Sequence, residues 1–113
     1  MNYDKYDLIW LFESEPDKSI IDYEIYTIKS ALDFKLRLNI YIYDDSCTVD
    51  LFFKGKSIFE GKFENVTDIK KHEEYLVIFE NNIPKVRIDF NDVFSINLLT
   101  KDDIELYSEI LAN

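Results

Sequence analysis

The chain has 113 residues, of which 23 are acidic and 13 basic, giving a formal net charge of −10 with the single His neutral. At 47% hydrophobic and 16% aromatic it carries too much apolar material for a disordered acidic tail. Two Gly, two Pro, one Cys and one His exclude Gly-rich phosphate loops, linker-like architecture, an intrachain disulfide and multi-Cys or His-rich metal modules.

This length predicts a single domain over residues 1–113, able to bury roughly two-thirds of its unfolded surface. The net negative charge disfavours nucleic acid and anionic membranes as partners and favours a basic protein. The start of the chain has no basic segment leading into a long apolar run. Its longest apolar stretch, Leu8-Ile9-Trp10-Leu11-Phe12, is far short of the ~20 residues of a membrane span. With one Cys and no leader pattern, a cytoplasmic location is expected. Residues 1–50 hold eleven acids and five bases, residues 51–90 seven of each, and residues 91–113 five acids and one base. If the two chain ends met in space, they would form one negative face.

In chain order, residues 3–12 read as a short helix with Asn2 as its cap and Leu8, Leu11 and Phe12 on one face. Residues 14–18 read as a turn. Ile20–Ile28 is rich in β-branched and aromatic residues and reads as a strand. From Phe34 to Tyr43 the apolar Phe34, Leu36, Leu38, Ile40 and Ile42 alternate with Lys35, Arg37, Asn39, Tyr41 and Tyr43, the period of a strand with one buried face. Asp44-Asp45-Ser46 turns the chain into a strand over Thr48–Lys54, and Lys54-Gly55-Lys56 predicts a tight hairpin into Ile58–Glu64. Glu73–Glu80 and Lys85–Phe90 form a second predicted hairpin across Asn81-Asn82-Ile83-Pro84, followed by a last strand at Val93–Leu99. Thr100, Asp102 and Asp103 suit the start of a C-terminal helix that places Ile104, Tyr107 and Leu111 on one face. Strands joined by short loops pair antiparallel. The expected class is therefore α+β: a mainly antiparallel, twisted β-sheet of about six or seven strands, with a short helix at each end. A partial barrel or a sandwich-like closure is the variant.

No catalytic set emerges. His72, in Lys70-Lys71-His72-Glu73-Glu74, has no nucleophile or metal partner nearby in sequence and reads as part of a solvated loop. Cys47 follows two Asp residues, the opposite of the positive surroundings that activate a thiol, and reads as inert near a strand start. The pairs Asp44/Asp45 and Asp102/Asp103 lack the spacing of a calcium loop and fit a turn and a helix start. Asn65-Val66-Thr67 matches a glycosylation sequon but lacks a secretory context. No cofactor or metal is expected, and an enzyme ranks last among the functions.

The tyrosines carry more information. Tyr41 and Tyr43 fall on the polar face of the clearest strand and lead into Asp44 and Asp45, while Tyr23 and Tyr26 lie beside Asp22 and Glu24. Rigid aromatics flanked by carboxylates suit a surface that anchors a basic protein. The plainer alternative is that these rings pack under the terminal helices or are there because Tyr favours strands.

The segments Ile21-Asp22-Tyr23-Glu24-Ile25, Phe34–Ile42, Val49-Asp50-Leu51-Phe52-Phe53 and Phe63-Glu64-Asn65-Val66-Thr67-Asp68-Ile69, with two closing strands, resemble small immunity proteins of bacterial polymorphic toxin systems. The resemblance covers roughly residues 20–98 and is nearest to the immunity protein fifty family and its relatives. Ile21 stands where that family's motif has His, and Asp22 and Glu24 carry over as motif positions. The resemblance implies a non-enzymatic, cytoplasmic protein that binds and blocks a cognate protein toxin, often a nuclease. Together with the tyrosine pattern, it assigns partner binding to Asp22, Glu24, Tyr41, Tyr43, Asp44 and Asp45. Two other functions fit the composition. One is a phage-type acidic decoy that inhibits a nucleic-acid enzyme; the other is a small-ligand-binding β module, which needs a sizeable apolar cavity.

Overall fold

The computed structural model describes the backbone of residues 1–111 and the side chains of residues 1–107. The order is β1 (Asn2–Tyr3), α1 (Lys5–Phe12), β2 (Lys18–Ile20), β3 (Tyr23–Lys29), β4 (Phe34–Tyr41), β5 (Ser46–Phe53), β6 (Lys56–Phe63), β7 (Val66–His72), β8 (Tyr75–Glu80), β9 (Ile83–Asp89), β10 (Ser95–Leu98) and α2 (Lys101–Leu111). The strands form two five-stranded sheets. One runs β1-β7-β8-β9-β10 (sheet A) and the other β2-β3-β4-β5-β6 (sheet B). All pairings are antiparallel except β1 with β7. The α+β reading with terminal helices holds. The strands divide into two sheets of five rather than forming a single sheet of six or seven.

Period two explains the core. On β4, Leu36, Leu38 and Ile40 point inward; on β5, Cys47, Val49 and Leu51 do so. They meet Leu76 and Ile78 of β8 and Val86 and Ile88 of β9, and the buried side of α1 (Leu8, Leu11, Phe12) joins the same cluster. β8 is buried on both faces, because Tyr75, Val77 and Phe79 on its outer side pack with Leu99 and Tyr107 of the α2 region. Arg87 fastens that helix. Its guanidinium carbon lies 3.8 Å from the Tyr75 ring centroid, Nη1 donates to the Tyr107 hydroxyl at 2.6 Å, and Nε and Nη2 hold the Asp89 carboxylate. Thr100 and Asp103 cap α2 reciprocally, as expected: Asp103 accepts from the Thr100 N–H and hydroxyl, and its own N–H donates to Thr100 Oγ1. The Leu111 side chain lies outside the described residues.

Two of the four hairpins with two-residue loops use positive φ at both central residues, Lys54 (+49°) with Gly55 (+80°) and Asn81 (+50°) with Asn82 (+66°). This conformation matches the right-handed twist of the flanking strands.

Several expectations are corrected. The helix begins at Lys5, not residue 3. Its cap is Asp4, whose carboxylate accepts the Tyr6 N–H at 2.8 Å, whereas Asn2 and Tyr3 extend along β7. Three strands were not read: β1 and β2, which are very short, and β7. A register shift between Val66 and Asp68 brings the buried Val66 and Ile69 three residues apart and breaks the alternation that marks a strand. His72 accordingly ends β7, with its ring 5.4 Å from that of Tyr75, rather than sitting in a solvated loop. The long strand β4 stops at Tyr41, so Tyr43 belongs to the turn that follows. Finally, α2 lies on the outer side of sheet A, whereas Asp22 and Asp44 lie in turns of sheet B. The acids of α2 therefore do not share a face with Asp22 and Asp44, although Glu13 and Asp92, one from each end of the chain, line one depression.

Candidate functional site

The deciding geometric question is which sheet faces the helices cover. The buried side chains of α1 join the shared core, and α2 packs on β9 and the outer side of sheet A. Among the described residues, neither covers the outer face of sheet B. That face carries Tyr23, Ile25 and Thr27 of β3, Lys35, Arg37, Asn39 and Tyr41 of β4, and Thr48, Asp50 and Phe52 of β5.

At one end of this face the Tyr23 and Tyr41 rings stack, with centroids 4.8 Å apart and planes 13° from parallel. They shelter Asn39, which is only 7% exposed although it faces outward. Its amide nitrogen donates to Thr48 Oγ1 at 2.8 Å and to Asp50 Oδ2 at 3.1 Å, and its oxygen accepts the Tyr23 hydroxyl at 3.2 Å. This polar ladder fixes the tyrosine pair on a rigid strand platform. Burial, helped by the neighbouring Tyr41 hydroxyl, raises the Tyr23 pKa above the ordinary tyrosine value, so the ring remains a neutral donor.

Two turns close the same end. The Asp22 carbonyl of the β2–β3 turn accepts the Ile42 N–H of the β4–β5 turn at 2.9 Å. Asp22, Tyr41, Tyr43 and Asp44 are thereby gathered, and the exposed Ile20 and Ile21 add apolar surface beside them. Tyr43 is 70% exposed and Ile21 81%. Asp45 is also exposed, but its Oδ1 lies 3.0 Å from the Met1 ammonium and its carbonyl accepts the Val66 N–H at 2.8 Å, so it leans toward sheet A.

Glu24 is placed differently. It lies on the inner side of β3 and is 6% exposed. Its carboxylate accepts hydroxyls from Tyr3 at 2.6 Å, Ser19 at 2.9 Å and Tyr26 at 3.0 Å, with Lys5 Nζ 3.8 Å away. Burial pushes its pKa up, but the three hydroxyls and Lys5 together outweigh that and leave it below the ordinary glutamate value. Burial, reinforced by Glu24, raises the pKa values of Tyr3 and Tyr26. Tyr26 is fully buried, so of the two tyrosines flanking Glu24 only Tyr23 reaches the surface. Alternation along β3 separates Tyr23, Ile25 and Thr27 from Glu24, Tyr26 and Ile28. Polar and apolar residues occur in both sets, which hides the split from the sequence.

Chemistry elsewhere is sparse. The Cys47 thiol is buried and pushed up to about 12 by that burial and by Glu80. Among the described residues no group of three or more His, Cys, Asp and Glu side chains is placed to hold a metal ion. Two open depressions of about 490 and 500 Å³ lie beside β1 and β7 and beside Trp10 and Phe90. No helix among the described residues is long and apolar enough to cross a membrane.

No family model and no curated protein matches the chain. Among solved structures it matches a chain of the contact-dependent growth inhibition toxin–immunity protein complex from Klebsiella pneumoniae 342, with a TM-score of 0.70. The fold is shared with a component of a toxin–immunity complex. The match covers 84% of this chain and 91% of that one at 15% sequence identity, so it is a likeness of architecture. It agrees with the resemblance to small immunity proteins drawn from residues 20–98.

Proposed function

We propose that the protein is a non-enzymatic immunity protein that binds and neutralises a cognate bacterial toxin. The observation that carries this reading is the uncovered outer face of sheet B, ending in stacked Tyr23 and Tyr41 and the turn residues Asp22, Tyr43 and Asp44. The shared fold with a toxin–immunity component supports it. Tyr41 and Tyr43 serve as anchors, because a rigid aromatic buries area at little entropic cost. Asp22 and Asp44 pair with Lys or Arg of the toxin, and Asp45 contributes from the rim. The net charge of −10 suits a basic toxin and speeds the encounter. Glu24 supports the site from within, by tying β1 and β2 to β3.

The test is to capture partners with the tagged protein at low and moderate salt and then to express the captured protein with and without this chain. A basic toxin-like protein that elutes as salt rises, and whose toxicity this chain suppresses, is the expected result. A housekeeping nucleic-acid enzyme as the stoichiometric partner would overturn it in favour of the acidic decoy. Stabilisation of the protein by a metabolite, with no protein partner, would point to the ligand-binding module.

A further inference from the structure

The end of sheet B opposite the tyrosines has the reverse charge. Lys29 and Lys35 face each other directly across β3 and β4, a like-charge pairing that is unfavourable to the sheet. Lys54 and Lys56 flank Gly55 in the neighbouring hairpin, and Arg37 is the next outward residue of β4 after Lys35. Lys29, Lys35 and Arg37 thus share the outer face, and Lys54 and Lys56 stand at the same end of the sheet in a hairpin whose Phe53 points to the inner side. Among the described residues, none of the five takes part in a salt bridge. Arg37 stands between Thr27 of β3 and Asp50 of β5, and Arg37 Nε and Thr27 Oγ1 are buried without a hydrogen-bond partner. Lys35 Nζ lies 4.5 Å from the Phe52 ring centroid on the outer face, and Lys54 Nζ lies 5.4 Å from that of Phe53 on the inner side, so each charge rests against a ring. Lys29, Lys35 and Lys54 line an open notch of about 320 Å³ whose one acidic neighbour is Asp33.

We infer that the outer face of sheet B is a bipolar docking surface, and that a carboxylate-bearing segment of the toxin seats on the Lys29–Lys35–Lys54 notch while a cationic segment covers the tyrosine end. The inference rests on the immunity reading and adds the partner's charge layout. Lys35 and Tyr41 stand six residues apart on one strand, so the toxin's acidic and basic contact groups should lie roughly 20 Å apart. Carboxylates fit the notch better than a nucleic acid does, because the remaining surface of a chain carrying −10 repels a polyanion. Asp22 and Asp44 in the turns at one end and Lys29, Lys35 and Lys54 at the other favour one orientation of docking over its reverse.

The test uses the purified complex of the full chain with an inactive form of the toxin it protects against. Carbodiimide coupling, which joins a carboxylate to an amine in direct contact, followed by mass spectrometry, should link Lys29, Lys35 or Lys54 to Asp or Glu of the toxin. It should also link Asp22 or Asp44 to toxin lysines. Lys35→Glu with Lys54→Glu should slow association about tenfold at low salt, and Lys85→Glu with Lys101→Glu, on the sheet A side, should leave it unchanged. A complex that forms at the wild-type rate with the Lys35/Lys54 variant and yields no such links overturns the bipolar surface while the immunity reading stands. Loss of toxin binding by the wild-type chain overturns both. Retention of a labelled RNA at the notch in place of toxin carboxylates overturns the inference in favour of a nucleic-acid contact.

Discussion

Replacing Glu24 by Gln keeps the volume of the side chain and removes its charge. In the native fold the carboxylate accepts three hydroxyls, from Tyr3, Ser19 and Tyr26, in a site 6% exposed. A hydrogen bond to a charged group is worth about 1.5–3 kcal/mol against about 0.5–1.5 for a neutral one, so three such bonds lose about 3 kcal/mol in gross terms. Relief of the carboxylate's desolvation returns part of this, leaving a net loss of about 1–2 kcal/mol. For a domain of this size that lowers the melting temperature by about 4–8 °C. The pH dependence supplies a second readout. The folded pKa of Glu24 lies below its ordinary value of 4.5, so its contribution is fully present above 4.5 and is lost as pH falls through the folded pKa. Thermal unfolding followed by circular dichroism, near neutral pH and in steps below 4.5, should therefore show the wild type and Glu24→Gln converging in acid. Glu24→Ala strands three hydroxyls and should cost more, about 3–5 kcal/mol. Equal stability of Glu24→Gln and wild type at neutral pH, with parallel curves in acid, would refute the reasoning.

Arg87→Met removes the guanidinium held by Tyr75, Tyr107 and Asp89. It should destabilise the protein by about 1–3 kcal/mol and speed proteolysis at the start of α2, measured by urea titration and limited digestion. Gly61→Ala would place a Cβ 3.0 Å from the Phe59 ring and 3.4 Å from that of Phe63, and should cost about 1–2 kcal/mol in the same titration. Gly55→Ala meets open space, so any loss comes from φ +80° alone and should be about 1 kcal/mol. Tyr43→Ala should leave unfolding within about 0.5 kcal/mol of wild type, yet weaken toxin binding by about tenfold in a surface-binding assay.

The strands that alternate cleanly were legible. Phe34–Tyr41, the Lys54-Gly55 turn and the Thr100–Asp103 cap follow from local chemistry that tertiary packing reinforces. β7 was not, because its bulge brings Val66 and Ile69 to the same side out of period. β1 and β2 span two and three residues, and pairing with distant strands rather than local propensity makes them extended. Of the candidate site, Asp22, Tyr41, Tyr43 and Asp44 come together because two turns of one sheet are hydrogen-bonded to each other. The inward turn of Glu24 was hidden, since a carboxylate next to two tyrosines looks the same in sequence whether the hydroxyls face it or face water. The basic end was hidden for another reason. Lys29, Lys35 and Lys54 are scattered among acids along the chain, and only strand pairing collects them.

Both helices attend to the core or to sheet A, and the outer face of sheet B is left to the solvent side of strands whose inner residues Tyr26, Leu36, Leu38, Ile40 and Val49 are fully buried. Each of β3, β4 and β5 therefore interleaves two texts, one residue apart. Changes at Leu36, Leu38 or Val49 act on stability; changes at exposed positions such as Lys29, Asp22 or Tyr43 act on what the face can hold. The second text can therefore be rewritten one position at a time while the packing of the first stays intact.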